Sequence, residues 1–311
     1  MMERQQLMKY LGSVEQIGGI KNYTYNDGKA KGVHAIEIDT GILRITILPD
    51  RCMDIAQASY RGTAISWISK TGIAAPQYYE KDGLSWLRGF YGGLLTTCGL
   101  KNIGVPSGEE GLHGRIANTP AQNVSIYADW VDGNYVMRVS GEMHEAVVFG
   151  EHLVLKRTIT AVLGESRFTV EDSIENQGYA TEYIALCYHC NFGFPLVSET
   201  ARIVGVPEQH SMMDAPTHGI QEECINVPFE TDEVTVGIEN NGIGAYITYA
   251  RSTLPDFLIW KMPGEGDYVI GLEPRTTSLG GMENIKARGA AVKVNPFEKM
   301  KTKLRFEVKD L

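Results

Sequence analysis

Val124-Ser125-Ile126-Tyr127-Ala128-Asp129-Trp130-Val131-Asp132-Gly133-Asn134-Tyr135-Val136-Met137-Arg138-Val139-Ser140-Gly141-Glu142-Met143 is the stretch that decides the fold class. Two runs, 124–131 and 135–143, are rich in β-branched and aromatic residues and flank Asp132-Gly133-Asn134. That triplet supplies the backbone freedom of a tight hairpin turn, so the stretch reads as two antiparallel strands. Working outward, 153–162 and 167–175 repeat the arrangement around Gly164-Glu165. Upstream, 33–38 and 43–48 are joined by a turn at Asp39-Thr40-Gly41, and 55–60 follows after Pro49-Asp50-Arg51. Downstream, further strands are expected at 182–189, 234–238, 245–250, 258–262, 268–272, 292–294 and 303–308.

One short amphipathic helix is expected within 1–20, carried by Leu7, Met8, Tyr10 and Leu11 and ended near Gly12. No proline-rich linker, composition shift or internal repeat divides the chain, so residues 1–311 are expected to form one domain. A propeller would need a repeat signature that is missing. Many short antiparallel strands over this length imply an all-β protein, one large sandwich.

A net charge of −9 with no basic run argues against a nucleic-acid partner. It also favours a neutral substrate over an anionic polymer. Five cysteines without regular spacing are not a disulfide framework, which suits a reducing, cytoplasmic compartment. No stretch has the apolar length of a membrane span, so no membrane partner is expected. The oligomeric state is left open, with a homodimer as one option.

The chemistry concentrates in three places. Gly111-Leu112-His113-Gly114-Arg115 holds an imidazole in a glycine-flanked turn, where a ligand can approach closely. Tyr188-His189-Cys190-Asn191-Phe192 places a second histidine on a strand, and Gly271-Leu272-Glu273-Pro274-Arg275-Thr276 places a carboxylate at a strand end. The competing readings are a surface-turn histidine, a satisfied core histidine and a solvated strand-end glutamate. A carboxylate at the end of an apolar strand is costly unless solvated, paired or in a site. Arg115 and Arg275 offer forked hydrogen bonds to a substrate, or surface pairing. Arg51 and Asp54 are either a structural ion pair or part of the site.

Between residues 66 and 111, Trp67, Trp86 and Phe90 are interleaved with glycines, which suggests loops lying close to a ligand. Cys187-x-His189-Cys190 offers zinc-type ligands, but on a strand residue 190 points away from 187 and 189. Phosphate loop, nucleophile elbow and dinucleotide fingerprint are all missing. No metal and no cofactor are therefore expected.

At these three stretches the sequence resembles the aldose 1-epimerase (galactose mutarotase) superfamily, and more closely a divergent bacterial branch of unknown function. Leu112-His113-Gly114, Tyr188-His189-Cys190-Asn191-Phe192 and Leu272-Glu273-Pro274-Arg275-Thr276 are similar in order and spacing to the three segments that carry that superfamily's acid/base groups. The resemblance implies a β-supersandwich over nearly the whole chain. It implies Glu273 as general base toward an anomeric hydroxyl, His189 as general acid toward the ring oxygen, and His113 as a holder of that oxygen. The expected sugar contacts are Arg51, Asp54, Thr97, Arg115, Asn191, Trp260 and Arg275. Two departures bear on which sugar is bound. An arginine-containing loop of the superfamily is replaced by residues 92–100, and the order Asn191-Phe192 differs.

The leading expectation is a mutarotase acting on a small sugar. The alternative is a carbohydrate-binding or regulatory protein that keeps the fold without turnover, and a third is an isomerase or lyase using the same acid and base.

Overall fold

The computed structural model describes residues 4–311. Nearly all regular structure in it is antiparallel strand. The hairpin at Asp132-Gly133-Asn134 forms as expected, joining Ala121–Val131 to Asn134–Ala146. It continues into an eight-stranded sheet through His152–Val162, Arg167–Asn176 and the long C-terminal strand Lys299–Asp310. Along Arg167–Asn176 the side chains alternate strictly, with Phe168, Val170 and Ile174 buried. That period of two is the reason these segments cannot be helices.

A five-stranded sheet packs against the inner face of the large one. It runs Glu223–Asn226, Asp256–Gly264, Asp267–Arg275, Cys187–Phe192, Thr96–Cys98 in spatial order. Cys187–Phe192 is called the histidine strand below, Asp267–Arg275 the glutamate strand, and their sheet the floor. The parity of the histidine strand explains the whole arrangement. Tyr188, Cys190 and Phe192 point into the core shared with the eight-stranded sheet, so Cys187, His189 and Asn191 point the other way.

At the centre of the sandwich lies a buried polar network. Arg157 donates to both oxygens of Asp172 at 2.9 and 2.7 Å, to Asp54 at 2.7 Å and to Thr97 at 2.8 Å. Tyr188 donates to Asp172 at 2.6 Å, so the histidine strand is bonded to the opposite sheet one residue before His189. Burial pushes Asp54 up to about 6, against the pull of Arg157 and Thr97. A paired, hydrogen-bonded arrangement of this kind resists removal of one member, because the survivors stay buried and charged.

Some expectations change. The N-terminal helix was expected within residues 1–20 and to end near Gly12; residues 1–3 lie outside the described residues, and from Arg4 on the helix is a single turn, Arg4–Leu7. A strand follows at Gly19–Thr24, whose mostly exposed residues carry no apolar alternation to reveal it. The expected strand 182–189 is two strands, Glu182–Ile184 and Cys187–Phe192, in different sheets. The break lies at Ala185-Leu186, where Ala185 N–H donates to Leu100 O and Leu186 N–H to Thr276 Oγ1. Among the described residues no helix is long and apolar enough to cross a membrane.

Candidate active site

The antiparallel register of the floor brings its two polar residues together. Cys187 pairs with Arg275 and Cys190 with Leu272, so His189 lies directly across from Glu273. Their side chains meet at 3.2 Å, Nε2 to Oε1, with both residues almost fully buried. The other oxygen of Glu273 accepts the Cys187 thiol at 3.4 Å.

Asn191 decides where the imidazole hydrogens are. Its Nδ2 donates to Gly93 O at 3.1 Å and His189 O at 3.0 Å, which fixes the amide's orientation. Its oxygen therefore faces His189 Nδ1, at 2.5 Å. An amide oxygen only accepts, so Nδ1 carries a hydrogen. Nε2 then confronts a carboxyl oxygen, and two lone pairs would repel. One proton lies between them, either as imidazolium and carboxylate or as imidazole and carboxylic acid.

His113 arrives from a loop. Gly99 N–H donates to His113 O at 3.0 Å and Ile116 N–H to Gly99 O at 3.1 Å, which ties the loop to the end of Thr96–Cys98. The fit is tight enough to require glycine. A Cβ on Gly111 would fall 1.9 Å from Lys81 O, and one on Gly114, at φ +68°, 2.4 Å from Gly99 O. His113 itself is left-handed, at φ 59°. Gly104 N–H donates to its Nδ1 at 3.3 Å, so the neutral ring carries its hydrogen on Nε2. Burial, with a smaller push from nearby His189, lowers His113 to about 3 and keeps it uncharged near neutral pH.

Aromatic rings hold both imidazoles. Phe90 and Trp260 meet the His189 ring at centroid distances of 5.2 and 5.1 Å, and Trp86 meets His113 at 4.9 Å. The rings of His113 and His189 are 5.8 Å apart. Together with Glu273 they line one cavity of about 330 Å³. Trp86 also lines it, and its buried Nε1 finds no acceptor among the described residues.

A family model described as Domain of unknown function (DUF4432) matches residues 30–308. The chain belongs to that family. No curated protein matches it. Among solved structures it is similar to a protein of Klebsiella pneumoniae subsp. pneumoniae MGH 78578, provisionally assigned as an aldose 1-epimerase. The TM-score is 0.87 at 21% identity, over 99% of this chain and 86% of that one. A galactose mutarotase-like protein from Clostridium acetobutylicum gives 0.66 at 14% identity, over 95% and 100%. A protein of Escherichia coli K12, also provisionally assigned as an aldose 1-epimerase, gives 0.57 at 13% identity, over 94% and 100%. The fold of this family member is therefore the galactose mutarotase-like β-sandwich; identities so low carry the fold alone.

Of the catalytic and sugar-contact residues expected from the sequence, His113, His189, Glu273 and Trp260 line the cavity in this DUF4432 protein, as do Trp86 and Phe90, whereas Arg51, Asp54, Thr97, Arg115, Asn191 and Arg275 do not. Arg51 is buried and donates to the carbonyls of Ala117, Ala74 and Gly89, with its guanidinium over Tyr91. Asp54 and Thr97 belong to the Arg157 network in the core. Arg115 forks onto Glu110, and Arg275 is held by Asp256 and Asn226. Asn191 sits behind His189 and fixes its ring. Of the zinc-type residues weighed in the sequence, Cys190 faces the core, where its thiol donates to Tyr188 O at 3.5 Å.

Sequence reasoning missed Glu222, whose carboxylate accepts the Trp260 indole N–H at 2.7 Å at the cavity edge. The only signal was a strand tryptophan whose N–H needs a partner. Leu84, Leu87, Val105 and Leu279 were missed as well; they sit in loops whose sequence has no periodicity.

Proposed function

We propose that this protein interconverts the anomers of a small sugar by acid/base ring opening. The observation that carries the reading is the 3.2 Å approach of His189 Nε2 to Glu273 Oε1, at the wall of a cavity of monosaccharide size.

The anomeric hydroxyl and the ring oxygen of a sugar are bonded to the same carbon. A carboxylate and an imidazolium side by side can address both at once. Glu273 takes the hydroxyl proton as a carbonyl forms at the anomeric carbon. The bond from that carbon to the ring oxygen breaks, and its electron pair goes to the ring oxygen, which takes the proton of His189 Nε2. The pair passes from imidazolium and carboxylate to imidazole and carboxylic acid, the same two arrangements that share one proton at rest. Rotation about the adjacent carbon–carbon bond and reversal of both transfers give the other anomer. His113 supports the reaction as a neutral Nε2–H donor to the ring oxygen, where negative charge grows. Phe90, Trp86 and Trp260 offer faces for the apolar side of a pyranose.

Saturation-transfer NMR of anomer exchange over a panel of aldoses, ketoses, deoxysugars and uronates tests this. Acceleration for one sugar, lost in Glu273→Gln, is expected. Binding without exchange on any sugar would instead make the protein a sugar-binding module.

A further inference from the structure

The cavity has two unlike sides. Its floor carries His189, Glu273, Trp260 and, at the edge, Glu222 with Cys224. Its loop side is mostly apolar: Leu84, Leu87, Val105, Leu112 and Leu279 join Trp86 and Phe90, and its polar points are His113 and the Trp86 indole N–H. Three of these side chains are strongly exposed around the mouth, Leu84 at 60%, Val105 at 56% and Leu87 at 48%. Exposed apolar side chains grouped around one opening mark a place that a ligand covers.

The charges are one-sided too. Among the described residues lining the cavity there are two carboxylates, Glu222 and Glu273, and no lysine or arginine. The arginines that the sequence placed near the site are taken: Arg115 by Glu110, Arg275 by Asp256 and Asn226, Arg51 by three carbonyls. A carboxylate or phosphate on the sugar would be desolvated beside like charges with no lysine or arginine to meet it, and the His189 ring is already paired with Glu273. A fully hydroxylated hexose fits poorly on the loop side, because each hydroxyl turned toward leucine or valine loses its water partners. An unmatched polar group of that kind costs about 1–3 kcal/mol.

We infer that the substrate is an uncharged deoxy sugar, with a methyl or methylene where a hexose has a hydroxyl, presented to the Leu84–Leu87–Val105–Leu112–Leu279 side. The inference rests on the proposed anomer exchange and names its substrate class.

The test uses matched pairs: L-fucose with L-galactose, L-rhamnose with L-mannose, and both 6-deoxy-D-glucose and 2-deoxy-D-glucose with D-glucose. D-glucuronate and D-glucose 6-phosphate complete the set. Exchange is read by NMR as kcat/KM, and binding to the unmodified protein by titration calorimetry. In at least one pair the deoxy member is expected to lead by roughly ten- to a hundredfold, the range one group in an apolar pocket commands. The two acidic sugars are expected to be slower than that deoxy sugar by more than its parent is. Leu87→Asn, on an already exposed position, is expected to move the ratio of the preferred pair toward parity. Parity or preference for the parent in every pair, or an acidic sugar as best substrate, overturns the inference. If nothing exchanges, the titrations still decide. Tighter binding of a deoxy member leaves the specificity standing and sinks the acid/base reading, and binding without discrimination, or no binding, sinks the specificity.

Discussion

Asn191 is the residue whose replacement examines the site most directly. It touches neither the proposed bond-breaking centre nor the cavity, yet it decides which nitrogen of His189 faces Glu273. In Asn191→Ala the Nδ1 hydrogen loses its acceptor. Neutral His189 is then free to move its hydrogen to Nε2 and donate to the carboxylate without any extra proton between them. The protonated ring, which the proposed chemistry needs, loses a hydrogen bond to a charged group, about 1.5–3 kcal/mol. At 1.36 kcal/mol per decade that is roughly a 10- to 150-fold fall in kcat. Asn191→Asp keeps an acceptor at the same place and adds negative charge, which favours the imidazolium. It also replaces the Nδ2 donor to Gly93 O and His189 O, so folding is checked first by thermal melting.

The assay is anomer exchange as a function of pH on the preferred sugar. The basic limb of the profile marks loss of the proton that the pair shares, and the apparent value belongs to the pair. It is expected to move down in Asn191→Ala and up in Asn191→Asp. A purely structural role would not move the two variants in opposite directions. Unmoved limbs in both, with a rise in KM alone, would refute the tautomer argument and make Asn191 a sugar contact.

Three other outcomes follow from the geometry. Arg115→Ala should leave exchange within about twofold of wild type, because its guanidinium is spent on Glu110 outside the cavity; a larger loss in the kinetic assay contradicts that placement. Arg157→Leu strands Asp54 and Asp172 in the core, and urea unfolding should register about 3–5 kcal/mol of lost stability. For His113 the folded value of about 3 lies below the ordinary 6.5, so the unfolded chain binds the proton first as pH falls. Its contribution is complete above pH 6.5 and is lost on the way down to 3. Unfolding free energies from urea titrations over that window should fall more steeply for wild type than for His113→Gln, by up to about 1.4 kcal/mol per pH unit. Parallel curves would mean that His113 is not held neutral.

The strands were legible because a half-buried strand writes its faces into every second residue. The stretch 167–175 shows this, and so does the parity that separates His189 from Cys190. The three residues that meet in the cavity, His113, His189 and Glu273, were legible because each stands in an unusual local context of glycine, proline or strand end. Arg51, Asp54 and Thr97 were not readable in the same way. A buried guanidinium satisfied by carbonyls and one that greets a substrate have the same sequence appearance, and only the three-dimensional partners differ. Arg157, the centre of the core network, sits on a strand where nothing local marks it as buried. Glu222 and the leucines of the mouth come from loops, and loops carry no period to read.

The odd–even alternation of Cys187–Phe192 has a practical side for anyone who wishes to redirect this protein. His189 rides on a strand bolted to the opposite layer through Tyr188, with Glu273 on the strand beside it, whereas most of the apolar wall hangs from separate connecting segments. In the proposed chemistry the acid/base pair and most of the wall are thus carried by different parts of the backbone, with His113 beside Leu112 as the link between them. Exchanging the segments that carry Leu84, Leu87, Val105 and Leu279 for others of equal length reshapes the wall and leaves the His189–Glu273 pair where it stands.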